Sequence, residues 1–319
     1  MCGICGELRL DGRSADLAAV ARMSASLQRR GPDHDGAFSD GAVALGHRRL
    51  AIIDLSSRSN QPMVDAELGL ALVFNGVIYN HRALRAQLQG LGYRFFSEGD
   101  SEVILKAYHH WGADCPRHLH GMFAFAVWDL ARRTLFLARD RFGIKPLYWT
   151  RDTQRLRFAS SLPALLAGGG VDTALDPVGL HFQFTLHAVV PAPHTVLRGV
   201  RKLAPAHSLM LTADGTETLQ RYWQLEATRP AAARSAEDWV AEVREALLAA
   251  VRRRNDVADV PVGVLLSGGL DSSLLVALLA QEGGADLRTF SVGFEDQPEE
   301  KGSEFEFSDQ VVARYGTRH

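Results

Sequence analysis

Short apolar segments separated by polar turns fill residues 3–210, and this pattern constrains the fold more than any other feature. Apolar, β-branched or aromatic runs predict strands at residues 42–45, 70–74, 122–128, 134–138 and 156–159. Helical spacing of apolar residues predicts helices at residues 17–27, 82–91 and 101–111. Short polar turns between strands, as at residues 129–133, indicate antiparallel hairpins. Helices segregated from such strands predict a layered α+β domain and not a doubly wound sheet.

The pattern changes near residue 235. Residues 239–253 predict an amphipathic helix, 260–266 a strand, 272–281 a helix and 287–294 another strand. Strand, loop, helix and strand in that order form one βαβ unit, which implies a parallel sheet. One such unit is a small part of a nucleotide-binding domain, so we expect the second domain to be incomplete. The expected division is a first domain over residues 1–211, a connector over 212–235 and a truncated second domain over 236–319.

Composition narrows the function classes. The net charge of −2 provides no global basic field that would attract nucleic acid or an anionic membrane. The chain has three cysteines, no basic-then-apolar signal peptide and no apolar run of membrane-span length. The sequence therefore predicts a cytoplasmic protein in a reducing compartment, whose partners are small molecules and neither nucleic acid nor a membrane.

Cys2 directly follows Met1, and because its side chain is small, Met1 is expected to be removed. Cys2 would then carry both a thiol and a free α-amine, which titrates near neutrality and can act as the base for that thiol. A Met-Cys start taken alone is more often chance. Cys2 and Cys5 have the spacing of a redox or zinc pair, but no strand precedes them and no second ligand pair follows. Cys5 is expected to be buried on the first strand.

The sharpest motif is VLLSGGLDSS at residues 264–273, where an apolar strand runs into a glycine-rich turn and then a helix. Such a turn directs backbone N–H groups and a helix N-terminus at an anion, and its glycines let the backbone approach phosphate closely. No Gly-Lys-Ser/Thr follows, so it is not a Walker loop. It resembles the pyrophosphate loop of enzymes that transfer AMP from ATP; an ordinary helix start is the alternative.

Three other signals are ambiguous when read locally. Asn75 and Gly76 offer a side-chain amide and a backbone N–H that could form an oxyanion hole, but Asn-Gly is also the strongest short hairpin signal, and the turn is locally favoured. Arg49 has the natural group to clamp an α-carboxylate. Asp100 begins a helix, where it could cap the helix or meet a substrate ammonium.

In their order along the chain, these segments resemble the glutamine-hydrolysing asparagine synthetases, and the resemblance covers essentially the whole chain. The matching segments are CGI at 2–4, RGPD at 30–33, HRRLAII at 47–53, NG at 75–76, DSEV at 100–103, GMFAF at 121–125, RDRFGIKPLY at 139–148 and LSGGLDSS at 266–273. The resemblance implies an N-terminal-nucleophile glutaminase domain with an αββα sandwich. It also implies an ATP-pyrophosphatase-type synthetase domain that uses ATP and Mg²⁺.

The same resemblance implies roles for individual residues. Cys2 would attack the glutamine amide, while Asn75 and Gly76 would hold the oxyanion. Arg49 would bind the α-carboxylate of glutamine and Asp100 its α-amine. The full glutamine-binding set would be Arg49, Leu50, Ala51, Ile52, Ile53, Asn75, Gly76, Val77 and Asp100. The ATP-binding set would be Leu266, Ser267, Gly268, Gly269, Asp271, Ser272 and Val292, with Asp271 near the magnesium pyrophosphate.

Two features separate this chain from the main line of the family. Val77 stands where many members have Glu, so Asp100 alone would bind the amine, which changes glutamine affinity or selectivity. Residues 187–193 and 293–305 are similar to a subgroup that amidates N-acetylglutaminylglutamine to give an osmoprotectant. Asparagine synthesis from aspartate and a stand-alone glutaminase or regulatory module remain alternatives, and a homodimer is an open option. A phosphoribosyl or sugar aminotransferase would share the first domain, but the turn at residues 267–273 opposes it.

Overall fold

The structure is a computed structural model that describes residues 1–229, 232–283, 286–295, 302–303 and 305–319. The chain divides into two compact units, Met1–Glu226 and Ala227–His319. In the described residues, no helix combines the length and apolar character that crossing a bilayer requires.

Two six-stranded antiparallel sheets form the first unit. The strands of the first sheet are β1 (Gly3–Arg9), β2 (His34–Asp40), β3 (Val43–Arg49), β8 (Tyr148–Arg151), β9 (Arg155–Ala159) and β10 (Arg201–Lys202), in the order β10-β8-β9-β1-β3-β2. Those of the second are β4 (Met63–Asp65), β5 (Leu70–Ile78), β6 (Gly121–Asp129), β7 (Thr134–Arg139), β11 (His207–Thr212) and β12 (Glu217–Arg221), in the order β12-β11-β7-β6-β5-β4.

Three apolar layers hold these sheets and their helices together. Between the sheets, residues such as Ile4 and Leu45 of the first pack with Val73 and Trp128 of the second. Helices α1 (Leu17–Ser26) and α5 (Leu162–Ala167) cover the outer face of the first sheet. Helices α2 (His81–Gly90) and α3 (Asp100–Trp111) cover that of the second, followed by the short α4 (Cys115–His118). Alternate burial on the two faces of each strand produces these layers, and the expected αββα sandwich is confirmed.

The predicted helices and strands of this unit are present, with ends that shift by a few residues. Cys5 is buried on β1 as expected. The favoured hairpin turn at Asn75 and Gly76 is wrong, because both residues lie inside β5 and pair with Ala124 and Phe123 of β6. Strand β12 lies within the expected connector and pairs with β11, so the start of the connector belongs to the second sheet. Helix α6 (Pro177–Thr185) was not predicted.

The second unit contains the expected βαβ arrangement. Helix α7 (Ala236–Asn255) comes first, then β13 (Gly263–Leu265), α8 (Leu270–Gln281), β14 (Arg288–Phe290) and α9 (Phe305–Tyr315). Strands β13 and β14 are parallel, with Val264 opposite Thr289. Both strands are shorter than the apolar runs that predicted them, because each has one neighbouring strand among the described residues and the ladder of hydrogen bonds between them is short.

Candidate active site

Cys2 lies directly before β1, beside the residue that follows β3. Its Sγ accepts a hydrogen bond from the Leu50 N–H at 3.3 Å and lies 3.6 Å from the Leu50 carbonyl oxygen. Burial raises the pKa of the Cys2 thiol, although the Leu50 contact and the N-terminal charge act in the opposite direction. A thiol of raised pKa needs a base close by before it can act as a nucleophile.

The loop at residues 30–33 fixes the backbone on both sides of this sulfur. Arg30 Nε donates to the Cys2 carbonyl oxygen at 3.0 Å, and Asp33 Oδ2 accepts from the Ala51 N–H at 2.8 Å. Gly31 permits this approach, because a Cβ there would lie 2.3 Å from the Arg48 carbonyl oxygen. The sequence identified this segment only through the resemblance, since nothing local indicates that it returns to the N-terminus.

A single pocket at Cys2 collects most residues of the expected glutamine set. Besides Cys2, the pocket is lined by these members of that set: Arg49, Leu50, Ile52, Ile53, Asn75, Gly76, Val77 and Asp100. Ala51 is not among the lining residues. The sequence assigns no role to the remaining lining residues, which are Met1, Ser59, Gln61, Phe74, Ser101, Met122 and Lys145.

Strand β5 directs the backbone N–H of Gly76 toward this pocket, and this N–H has no hydrogen-bond partner among the described residues. On one edge of β5 the Phe74 N–H donates to Gln61 Oε1 at 2.6 Å and the Ile78 N–H donates to Asp100 Oδ2 at 2.9 Å. Antiparallel strands turn alternate residues to the same edge, so the Gly76 N–H lies between these two bonds. A Cβ at Gly76 would lie 2.2 Å from the Met122 carbonyl oxygen, which explains why this position needs glycine.

The Asn75 side chain lies beside that N–H and is 1% exposed. Neither its Oδ1 nor its Nδ2 has a hydrogen-bond partner among the described residues. Buried amides are normally paired, so an unpaired one indicates a site for a ligand atom. A buried amide donor next to a backbone N–H can stabilise an oxyanion.

Arg49 lies in the pocket wall, but its terminal nitrogens bind the protein itself. One donates to the Ser56 carbonyl oxygen at 2.8 Å and to Asn60 Oδ1 at 2.7 Å. The other donates to the carbonyl oxygens of Ile53 and Asp54. The guanidinium therefore holds the loop at residues 53–60. Toward an anion in the pocket it acts through its positive charge more readily than through a bidentate pair of hydrogen bonds.

Asp100, the first residue of α3, is the one acidic side chain among the described residues that line the pocket. Burial raises its pKa to about 7, and the hydrogen bond from the Ile78 N–H acts in the opposite direction. Val77 is also in the wall and is 6% exposed. The pocket therefore presents a single carboxylate, whose charge varies near neutral pH.

Lys145 brings a buried cation to the same pocket, with 3% of the residue exposed. Its Nζ donates to Met1 Sδ at 2.8 Å. Burial lowers the pKa of the Lys145 amine, and the charge of Arg30 adds to this effect.

Within the segment RDRFGIKPLY, Asp140 fixes the backbone around Lys145. Its Oδ2 accepts hydrogen bonds from the N–H groups of Phe123 and Lys145 at 3.1 and 3.0 Å.

In the second unit, Leu266, Ser267 and Val292 line one pocket with Ser291, Phe294, Gly302, Ser303, Phe305 and Ser308. Gly268 has φ +83°, and a Cβ there would lie 2.6 Å from the Ser308 N. Gly269 caps α8, and Asp271 and Ser272 lie in its first turn. The Ser267 and Ser272 hydroxyls are 3.1 Å apart.

These groups suit a nucleotide phosphate. Hydroxyls and the N–H groups at the start of α8 are donors for phosphate oxygens. The exposed Asp271 is an oxygen ligand that Mg²⁺ accepts. Within the described residues, no group of three or more His, Cys, Asp or Glu side chains is placed to hold a metal.

The segments that resemble the dipeptide-amidating subgroup lie in two places. Residues 187–193 follow α6, where His187 and Ala188 have φ of +47° and +65°. Of the other segment, residues 296–301 and 304 lie outside the described residues. Neither segment identifies an acceptor substrate.

Comparison with known proteins agrees with the two units. Residues 1–223 match the family described as glutamine amidotransferase domain, and residues 242–319 match the family described as asparagine synthase. Asparagine synthetase [glutamine-hydrolyzing] 3 of Bacillus subtilis (strain 168) is 36% identical over 336 residues, covering 100% of this chain and 53% of that protein. Amidase chry2 of Gibberella zeae is 37% identical over 294 residues, covering 88% of this chain and 43% of that protein. The chain thus spans about half the length of these curated relatives.

Two solved structures share the fold. Glutamine phosphoribosylpyrophosphate amidotransferase from B. subtilis, complexed with ADP and GMP, aligns with TM-score 0.53 and 19% identity over 93% of this chain and 69% of that chain. A structure described as the allosteric regulatory enzyme of purine biosynthesis aligns with TM-score 0.51 and 17% identity over 93% and 66%. At these identities the likeness concerns the fold alone.

Proposed function

The chain belongs to the glutamine amidotransferase family, and from that premise we propose that it is part of a two-site amidotransferase that takes its nitrogen from glutamine. One observation carries the proposal: the unpaired Asn75 amide and the open Gly76 N–H lie in the same pocket as the Cys2 sulfur. The match of residues 242–319 to asparagine synthase supports a second, ATP-dependent site.

At the first site, removal of Met1 frees the α-amine of Cys2. This amine takes the thiol proton while Sγ attacks the amide carbon of glutamine. The oxyanion that forms is held by Asn75 Nδ2 and the Gly76 N–H. The protonated amine then gives its proton to the leaving nitrogen, and ammonia departs to leave a thioester. Water hydrolyses the thioester to glutamate and returns the proton to the sulfur.

Charge orients the substrate in this scheme. Asp100 in its ionised form pairs with the α-ammonium of glutamine, and the Arg49 guanidinium faces the α-carboxylate. Leu50, Ile52 and Ile53 form the apolar wall along the methylene groups, and the backbone of Ala51 completes that segment. Val77 leaves the ammonium without a second carboxylate.

At the second site, an acceptor carboxylate attacks ATP, and the adenylate forms with release of pyrophosphate. Ammonia then displaces AMP and gives the amide. The pocket of the second unit supports nucleotide binding, with Leu266 and Val292 against the adenosine and the turn from Ser267 to Ser272 at the phosphates. Asp271 would lie near pyrophosphate with Mg²⁺.

The acceptor that we propose is N-acetylglutaminylglutamine, which rests on the similarity of residues 187–193 and 293–305. Aspartate is the alternative, and the names of the relatives favour it. A stand-alone glutaminase or regulatory module is a second alternative. A reducing, cytoplasmic setting belongs to the proposal because the Cys2 thiol must stay free, and a homodimer remains open.

The decisive experiment is Cys2→Ala, with glutamate release from glutamine as the measurement. The control is Cys115→Ala, which changes a buried cysteine elsewhere in the first unit. Cys2→Ala should abolish hydrolysis and Cys115→Ala should retain it. Mass spectrometry of the wild-type chain should find Met1 removed. Glutaminase activity in Cys2→Ala, or full activity with Met1 retained, would contradict the proposal. The longer protein, assayed with glutamine, ATP and either acceptor, identifies the amide product.

A further inference from the structure

Side chains from elsewhere hold both backbone groups of Phe74, the residue before Asn75. Its N–H donates to Gln61 Oε1 at 2.6 Å, and its carbonyl oxygen accepts from His47 Nε2 at 3.1 Å. Both bonds are buried and join segments far apart in the sequence. Gln61 therefore fixes the peptide that leads into Phe74, and His47 fixes the next one, which leads into Asn75.

The reason is that β4 is short. Among the described residues it pairs with β5 only at Leu70, Ala71 and Leu72, so the outward backbone groups beyond that point have no strand partner. Buried backbone groups must be paired. Gln61 and His47 pair those of Phe74, Asp100 pairs the Ile78 N–H, and the Gly76 N–H between them is left for the pocket.

We propose that His47 and Gln61 are positioning residues for the oxyanion hole: they fix the two peptides that flank Phe74, and thereby aim the Asn75 amide and the Gly76 N–H at one point. This inference rests on the proposed glutaminase function. Two restraints that arrive from different segments, one on the peptide before Phe74 and one on the peptide after it, limit the rotation of Phe74 more than one bond would. A donor must be placed to within about half an ångström to stabilise a transition state.

The state of the His47 ring supports this role. His47 lies on β3 of the first sheet and is 0% exposed, so its bond to Phe74 joins the two sheets. Burial lowers the pKa of His47 to about 3, so the ring is neutral at neutral pH. Since the Phe74 carbonyl accepts, Nε2 carries the proton, and Nδ1 has no partner among the described residues. An unpaired buried nitrogen is unfavourable for stability, so packing alone does not explain a histidine here.

The test compares His47→Leu and Gln61→Leu with His47→Gln in the 319-residue chain. For each Leu variant, kcat of glutamine hydrolysis should fall by about tenfold to a hundredfold, with KM unchanged to within about twofold, because the hole acts on the transition state. Affinity for an aldehyde analogue of glutamine, whose adduct with Cys2 places oxygen in the hole, should fall by the same factor as kcat. His47→Gln should recover most of kcat, since its amide can donate to the same carbonyl.

The matched control is Trp128→Phe, which removes a different bond between the sheets, from Trp128 Nε1 to Asp40 Oδ2 at 2.9 Å. It should lower the melting temperature and leave kcat and aldehyde affinity unchanged. If the Leu variants behave like Trp128→Phe, the inference is wrong while the proposed function stands. If His47→Leu does not fold, Gln61→Leu and His47→Gln decide. A wild-type chain that neither hydrolyses glutamine nor binds the aldehyde overturns the proposed function, and this inference with it.

Discussion

The Cys2 pocket and the glycine-rich turn after β13 are assembled in opposite ways. The pocket draws Cys2, Asn75, Asp100 and Lys145 from separate elements of the first unit and buries the last three almost completely. The turn is a contiguous stretch at residues 266–272, and Ser267 and Asp271 within it are exposed. A site of the first kind depends on many distant contacts, and one of the second kind depends mainly on local backbone geometry.

The difference matters for chemistry. Burial in the pocket raises the pKa values of both Cys2 and Asp100, as is common where groups take part in catalysis. The turn instead offers backbone N–H groups and hydroxyls, which bind phosphate without a change of charge. We therefore expect single substitutions in the pocket to change rates strongly, and substitutions in the turn to leave glutamine hydrolysis alone.

Of the substitutions that compare the two regions, Asn75→Ala has the largest expected effect. Loss of one oxyanion-hole donor should lower kcat of glutamine hydrolysis by about a hundredfold to a thousandfold. Gly268→Ala, in the turn, strains a residue at φ +83° and brings a Cβ within 2.5 Å of Phe307 Cβ, yet should leave this rate unchanged. Glutamate release measures both. If Asn75→Ala and Gly268→Ala lowered the rate of glutamate release equally, glutamine hydrolysis would depend on both regions and the contrast drawn between them would be wrong.

A second test uses pH. Because the pKa of Asp100 is raised to about 7, this carboxyl is neutral in the free pocket below that pH and cannot pair with the α-ammonium of glutamine. We expect kcat/KM to fall about tenfold per pH unit below 7, whereas kcat at saturating glutamine falls less.

The control for that test is Asp100→Asn, which should have low kcat/KM at every pH and no dependence attributable to this carboxyl. Any pH dependence of kcat/KM that persists in Asp100→Asn is assigned to titration of the Cys2 α-amine. A wild-type profile that stays flat between pH 5 and about 7 would show that the carboxylate is ionised throughout, contrary to the effect of burial.

Val77→Glu sharpens the comparison inside the pocket. A second carboxylate beside Asp100 should improve pairing with the ammonium and lower KM for glutamine by about threefold to tenfold. Val77→Gln introduces a side chain of the same size as Glu but without its charge, so the KM of this variant should stay near the wild-type value. If Val77→Glu and Val77→Gln both raise KM, space and not charge governs this position.

The two regions also differ in how well the sequence predicts them. Periodicity located the strands and helices of the sandwich and the βαβ unit, because packing against one face imposes a period. The turn at residues 266–272 was identified from its own composition. In the pocket, local reasoning favoured a hairpin at Asn75 and Gly76, and the structure places both in β5 because β6 offers strand partners there.

Other contacts at the site have no local sequence signal, although His47 and Lys145 lie in segments that resemble the family. Gln61 and His47 contact Phe74 across 13 and 27 residues, and Lys145 reaches Met1 across 144. No periodicity or turn rule relates residues at such separations, because tertiary packing alone brings them together. The resemblance identified Arg49, Asp100 and Val77, but it did not reveal that the Arg49 guanidinium holds its own loop.

The smallest expected effect concerns α7 in the second unit. Ser235 Oγ accepts from the Asp238 N–H at 3.1 Å, and Asp238 Oδ2 accepts from the Ser235 N–H at 3.3 Å, which forms a capping box. Ser235→Ala should lower the free energy of unfolding of this unit by about 1 kcal/mol, measured by thermal melting. Ser235→Asp keeps an acceptor and should lose less. Because the first unit has its own core, glutamine hydrolysis should be unchanged in both variants, and a loss of that activity would mean that the two units do not behave independently.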